Sequence, residues 1–258
     1  MVAAVPTYPE LAGRVAVVPG GSKGIGAAAC AVLCANGVQV AVVARDQDGI
    51  DGVVMGLNDA GGTAIGISSD VVSFAAIESM RHRVEAELGP VDILMSFAGG
   101  FSKMTPVVDI TEEEWAFVIE SNLTSTFLTC KAFLPGMIER GRGAIVTMAS
   151  NAARNLDVTL TASYAASKAG IVMFTRHVAK EVGPNGVRVN CIAPATTISE
   201  RVERIMTAER IQYMADLAPL GRIGMPHDSA LAALFLVSDS ASWLTGVTLD
   251  VAGGRIML

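Results

Sequence analysis

The stretch Val15-Ala16-Val17-Val18-Pro19-Gly20-Gly21-Ser22-Lys23-Gly24-Ile25-Gly26 decides how the rest of the chain is read. A short β-branched run leads into a glycine-rich turn, and the turn opens a helical pattern. Glycines let the backbone turn tightly and approach a pyrophosphate, and a helix N-terminus adds unpaired N–H groups and positive dipole. The spacing is G-x-x-x-G-x-G rather than the commoner G-x-G-x-x-G. A glycine-rich turn alone is a weak signal. Between a first strand and a first helix it points to a dinucleotide. Gly20, Ser22, Lys23, Gly24, Ile25 and Gly26 are the candidates for that contact.

Working outward, short apolar runs alternate with helical patterns along the whole chain. Strands are expected at Val15–Val18, Val38–Ala44, Thr63–Ile67, Ile93–Ser96, Ala144–Met148, Arg188–Ile192 and Val247–Val251. Most are continuously apolar, as strands buried on both faces of a parallel sheet must be. Helical patterns lie near 25–36, 47–59, 73–88, 111–139, 162–182, 200–215 and 227–237. Thr111 and Glu114 predict a capping box for the fourth, and Pro135 predicts a kink in its last turns. Regular alternation implies one α/β domain over residues 1–258, a doubly wound parallel seven-stranded sheet with helices on both faces. Ligands bind such sheets at the carboxyl ends of the strands.

Composition narrows the function. Of the 258 residues 51% are hydrophobic and 17% charged, which argues against disorder. The net charge of −6 is spread out, so a nucleic-acid partner is not expected. The Met1–Arg14 segment lacks the pattern of a signal peptide. Gly24–Ala44 is uncharged over a membrane-span length, but Asn36-Gly37 breaks it into helix, turn and strand. A soluble, cytoplasmic chain is expected. Cys30, Cys34, Cys130 and Cys191 read as small core residues, and His82, His177 and His227 are scattered, so no metal site is expected.

The second strand ends at Ala44 and is followed by Arg45. An acidic residue there binds a ribose 2′-hydroxyl, whereas Arg favours a 2′-phosphate. Arg45 with Lys23 favours NADP(H). Asp46 is the opposing feature and leaves NAD(H) as the alternative. The fifth strand ends just before Ser150, and Tyr164 follows with Lys168 one helical turn further on. An ammonium beside a phenol stabilises the phenolate and draws a tyrosine down from about 10. Such a tyrosine exchanges a proton near neutral pH while a hydroxyl holds the same carbonyl oxygen.

With those pieces in order, the sequence resembles the short-chain dehydrogenase/reductase family, in the manner of a 3-oxoacyl-carrier-protein reductase, over nearly its whole length. Gly20–Gly26, Asp70-Val71, Asp92–Leu94 with Ala98-Gly99, Asn122, Ser150, Tyr164 with Lys168, Val187–Pro194 and Gly246–Gly254 carry the likeness. The resemblance implies a Rossmann-type fold and a set of roles. Tyr164 is the general acid/base, Lys168 lowers its pKa and grips the nicotinamide ribose, and Ser150 orients the substrate oxygen. Asn122 holds a water that relays protons to Lys168. Asp70 and Val71 bind adenine, Ala98, Gly99 and Gly100 line the dinucleotide, and Pro194 and Thr197 flank the nicotinamide. It also implies a homotetramer built on helices 111–139 and 162–182 and on the C-terminal stretch.

The chain departs from the family's pattern in places. Pro19 stands where the family has Thr, and Ser96-Phe97 where it has Asn-Asn. We expect Pro19 and Phe97 to meet, exchanging a polar contact for an apolar one. Ala195 replaces the Gly after Pro194, and the Ser150–Tyr164 interval is one residue longer than usual, which predicts a bulge. Substrate choice is expected from Phe101–Val108, Asn151–Thr161 and a lid over 196–222. The apolar residues Phe101, Met104, Ile198, Ile205, Met206, Tyr213 and Met214 make an apolar pocket plausible. Arg201, Arg204 and Arg210 could meet an acidic carrier protein or coenzyme A, but Glu200, Glu203 and Glu209 dilute the patch, and a solvated helix face is the first reading. The expected activity is reduction of a ketone or 3-oxoacyl thioester. An NAD-dependent secondary alcohol dehydrogenase is the rival enzyme, and a catalytically silent cofactor sensor the rival from another class.

Overall fold

A computed structural model describes residues 4–100, 104–155, 160–199, 202 and 206–257. Seven strands run β1 Val15–Pro19, β2 Gln39–Ala44, β3 Thr63–Ser68, β4 Ile93–Ser96, β5 Gly143–Met148, β6 Val187–Pro194 and β7 Thr248–Val251. They form one sheet in the order β3-β2-β1-β4-β5-β6-β7. Every neighbouring pair is parallel. The expected strands are all present, with ends displaced by at most two residues.

The period of two along β1 sorts its side chains into two cores. Ala16 and Val18 pack with α1 (Gly24–Cys34) and α8 (Pro226–Val237), through Leu33, Ala233 and Leu234 among others. Val15 and Val17 face α3 (Phe74–Glu87), α5 (Ser125–Glu139) and α6 (Ala162–Val182), through Ile77, Phe133 and Val178. Such residues contribute roughly 1.5–3 kcal/mol each when fully buried. Helix α2 (Gln47–Asp59) follows β2, and α7 (Ala208–Asp216) belongs to the lid segment.

Asn36-Gly37 makes the turn that splits the uncharged run. Gly37 sits at φ 73°, and the buried Asn36 amide donates to Val32 C=O at 2.9 Å. Among the described residues no helix is long and apolar enough to cross a membrane. Nor do they contain a cluster of His, Cys, Asp or Glu suited to a metal ion.

The fourth helical pattern differs from expectation. It divides into α4 (Glu112–Ile119), a π-helical turn at Glu120–Thr124, and α5. Thr111 Oγ1 accepts from Glu114 N–H at 3.1 Å, the first half of the expected capping box. Helical structure runs through Pro135 to Glu139, so the irregularity lies upstream of the proline. Hydroxyls satisfy the carbonyls of the widened turn. Thr126 Oγ1 donates to Asn122 C=O at 2.7 Å, and Ser125 Oγ donates to Ser121 C=O at 2.9 Å. Thr129 Oγ1 lies 3.0 Å from Ser96 Oγ and ties this ladder to the end of β4.

Candidate active site

The order of strands reverses between β1 and β4, and a cleft of about 1230 Å³ opens there along the carboxyl ends of the sheet. This exceeds the ~300–1,000 Å³ of an ordinary small-ligand pocket.

At one end the glycine-rich turn forms its floor. A Cβ on Gly26 would stand 2.0 Å from Gly20 O, and one on Gly20 would stand 2.8 Å from the Phe97 and Ala98 backbone. Those two glycines are therefore demanded by packing of the turn itself. Gly24, at φ 54°, has open space where a Cβ would be. Lys23 sits at the N-cap of α1 but supplies no side-chain cap. The first N–H groups of the helix are left for a ligand, and this arrangement fits a pyrophosphate. Opposite them lie Ala98, Gly99 and Gly100.

Pro19 and Phe97 are both buried, and Phe97 N–H donates to Pro19 C=O at 2.9 Å. The two unusual positions thus adjoin through their backbones, with the Phe97 side chain in the core on the α1 side.

Arg45, Asp46, Asp70 and Val71 line the same end. Lys23 Nζ donates to Asp46 Oδ2 at 2.5 Å, and this bond holds the Asp46 carboxyl below the usual carboxylate range. Asp46 also caps α2 through Gly49 N–H. Lys23 is therefore partly neutralised, while the exposed Arg45 side chain has no ion-pair partner among the described residues. Asp70 Oδ1 accepts from Val72 N–H at 3.3 Å, which shapes the loop after β3.

The other end holds the proton chemistry. Ser150, directly after β5, caps a short 3-10 turn by accepting from Ala152 N–H at 3.2 Å. Its hydroxyl donates to Asn151 Oδ1 at 3.2 Å. Thr161 caps α6 by accepting from Tyr164 N–H at 3.3 Å, so the helix begins just ahead of the phenol. Lys168 is 2% exposed, and burial pushes its pKa down from 10.5 to about 8 against a smaller upward influence of Cys191. Its Nζ donates to Met148 C=O at 2.8 Å and lies 5.6 Å from the centre of the Tyr164 ring. An amine near 8 takes either protonation state close to neutral pH.

Most of the sequence-derived residues line this cleft together: Gly20, Ser22–Gly26, Arg45, Asp70, Val71, Ala98–Gly100, Ser150, Tyr164 and Thr197. Lys168, Asn122 and Pro194 stand behind its wall. Asn122 is fully buried in the π turn. Its Oδ1 accepts from Gly100 N–H at 3.0 Å, and its amide donates to Gly100 C=O and Val118 C=O, each at 2.8 Å. The Asn122 side chain thus clamps the Gly99-Gly100 turn. Neighbouring Ser121 is the residue that reaches the cleft.

Met104, Ile198, Met206 and Met214 line the substrate end as expected, joined by Phe117 and Leu160. Tyr213 does not line it. It lies beneath Arg210, whose guanidinium is 5.0 Å from the ring centre. Met148 and Ser121 had no sequence signal of their own beyond nearness to a motif, whereas Arg210 was already marked by the basic pattern of its segment. Phe101, Ile205, Arg201, Arg204, Glu200, Glu203 and part of the 151–161 loop lie outside the described residues, as do the first turns of the expected 200–215 helix apart from Val202.

A parallel sheet with a phosphate-cradling turn and a Ser, Tyr and Lys at one cleft defines an NAD(P)-dependent oxidoreductase. Comparison with known proteins agrees. A family model described as enoyl-(acyl carrier protein) reductase matches residues 20–255. The chain is 35% identical to D-threitol dehydrogenase of Mycolicibacterium smegmatis, covering 95% of this chain and 94% of that one. It is also 35% identical to the 3-oxoacyl-[acyl-carrier-protein] reductase of Escherichia coli, covering 95% and 98%. Among solved structures, a 7α-hydroxysteroid dehydrogenase complexed with NADH and 7-oxo-glycochenodeoxycholic acid superposes with a TM-score of 0.90 at 34% identity, covering 95% and 94%. The chain belongs to the short-chain dehydrogenase/reductase family and is an oxidoreductase acting between alcohol and carbonyl groups.

Proposed function

We propose that the chain reduces a ketone or 3-oxoacyl thioester at the expense of NADPH. The reading rests on one observation: Ser150 and Tyr164 line a single cleft, with Lys168 buried against Tyr164. When bound, the nicotinamide supplies the hydride. Ser150 Oγ–H donates to the substrate oxygen and fixes its direction. The Tyr164 hydroxyl gives that oxygen its proton as negative charge grows there. Lys168, pinned by Met148 C=O, holds positive charge behind the phenol and grips the ribose. Asn122 keeps the Gly99-Gly100 turn in place beneath the dinucleotide.

The preference for NADP(H) rests on Arg45, which has no ion-pair partner among the described residues, with Lys23 released from Asp46 as a 2′-phosphate arrives. A second reading, an NAD(H)-dependent secondary alcohol dehydrogenase, is favoured by that same Lys23–Asp46 pair, because it leaves a carboxylate at the end of β2. The chain acts as one catalytic domain with residues 196–222 as lid, in the cytoplasm, as a homotetramer. Exposed Phe127 on α5, Met173 on α6 and Met257 near the C-terminus support that self-association.

Absorbance assays with each cofactor over a ketone and acyl-thioester panel test the reading. Turnover with NADPH that Tyr164→Phe abolishes, with cofactor binding spared, is expected. Activity with NADH alone overturns the cofactor preference, and full activity of the Phe variant overturns the assigned acid.

A further inference from the structure

We infer that Arg210 reads an anionic group on the far end of the substrate, so that the preferred substrate is an amphipathic oxo compound: an apolar body bearing a carboxylate, phosphate or similar terminus. The inference rests on the reductase reading above and narrows its substrate class.

The described residues lining the cleft include five charged side chains. Four of them, Lys23, Arg45, Asp46 and Asp70, belong to the glycine-turn end, where a dinucleotide's own phosphates and adenosine would lie. Arg210 is the fifth, on α7 at the opposite end. Its lobe is otherwise lined by apolar side chains such as Met104, Phe117, Leu160, Ile198, Met206 and Met214, so an apolar body is accommodated there.

Among the described residues no carboxylate forms an ion pair with Arg210. Glu209, its neighbour, has its carboxyl held below the usual range by its own backbone N–H and by Thr207 rather than by Arg210. Asp216, at the other end of the helix, accepts from Gln212 Nε2 at 2.7 Å. Arg210 stacks on the face of Tyr213, 5.0 Å from the ring centre, and among the described residues its N–H edge meets no carboxylate. A planar donor edge at the rim of an apolar lobe is suited to a carboxylate or phosphate, which it can meet with two parallel hydrogen bonds.

The test uses matched pairs. A graded series of (ω−1)-oxo acids and their methyl esters is assayed with NADPH and NADH on the unmodified protein and on Arg210→Gln and Arg210→Lys. The acid is expected to exceed its ester about fivefold in kcat/KM at the chain length that spans the lobe, the size of one partly screened ion pair. Arg210→Gln brings the acid-to-ester ratio to about one, Arg210→Lys restores part of it, and added salt lowers it. A ratio near one in the unmodified protein overturns the inference. So does an unchanged ratio in Arg210→Gln, or a variant whose main defect is a raised KM for the dinucleotide. Calorimetric titration of medium-chain carboxylates into the NADP⁺-loaded protein needs no turnover. Binding that disappears in Arg210→Gln sustains the anion site even if no oxo compound is reduced, and that combination refutes the reductase reading alone. Binding that is indifferent to Arg210 refutes the anion site alone.

Discussion

Replacing Lys168 with methionine is expected to stabilise the folded chain while destroying catalysis. The lysine is buried, and its pKa falls from 10.5 to about 8. That displacement corresponds to roughly 3 kcal/mol against the ammonium at neutral pH. Because the group is almost wholly shielded, little of this is lost to solvent screening. Lys168→Met keeps the length of the side chain and removes the charge, but it leaves Met148 C=O without its donor, at about 1–3 kcal/mol. The net change at neutral pH is then a gain of about 0–2 kcal/mol. The pH dependence is more decisive. In the window between about 8 and 10.5 the unfolded chain holds the lysine proton and the folded chain has released it, so wild-type stability rises with pH there. Above the window both states are neutral and the penalty has vanished. Urea melts of both proteins, taken from neutral pH to beyond the window, should show the variant's advantage shrinking by roughly 3 kcal/mol, other titrations cancelling in the difference. A difference that stays flat across that range would falsify the assignment of a desolvated ammonium.

Three further expectations follow from the geometry. Gly26→Ala places a methyl 2.0 Å from Gly20 O, a clash between backbone segments, and should weaken NADPH binding at least about a hundredfold by fluorescence titration; near-normal affinity would mean the turn is slack. Thr126→Val removes the hydroxyl on Asn122 C=O and should cost about 1 kcal/mol, raising KM for the dinucleotide more than it lowers kcat; an equal fall in kcat would place Thr126 closer to the chemistry. Burial raises the pKa of Cys34 to about 11 and of Cys130 to about 12, and Cys30 and Cys191 are likewise pushed up by burial. A disulfide reagent should find these thiols unreactive at mildly alkaline pH until urea exposes them, and fast reaction in the native state would contradict their packing.

The sheet was legible because parallel strands covered on both faces are mostly apolar, as β1 is throughout, while Arg188 and Asn190 in β6 and Asp250 in β7 interrupt the pattern only singly. The start of α4 was legible because Thr111, a hydroxyl residue, precedes it and caps it; Asp46 and Ser73 cap α2 and α3 in the same way without having been read so. The π turn was not. Ser121, Ser125, Thr126 and Thr129 read as polar positions of an ordinary helix, and only coordinates show their hydroxyls filling carbonyls that a widened turn has freed. The direction of the Asn122 side chain was hidden for the same reason. The Lys23–Asp46 bond escaped because it joins two turns separated by a whole βα unit, where spacing carries no information. The arginine-rich pattern around Arg210 was visible in the sequence, but that Arg210 lines the cleft was not, because its place depends on how α7 packs.

One extra residue wound into a helix advances everything after it by about 100°. The segment from Glu112 to Glu139 therefore presents two unrelated faces in succession. Before the widened turn, Phe117 is offered to the cleft; after it, Phe133 and Met137 are offered to the sheet. An uninterrupted helix would have had to trade one of these contacts against the other. Shortening the segment by a single residue within 120–124 would rephase it, turning the cleft wall away from its ligand while both termini stayed almost where they are.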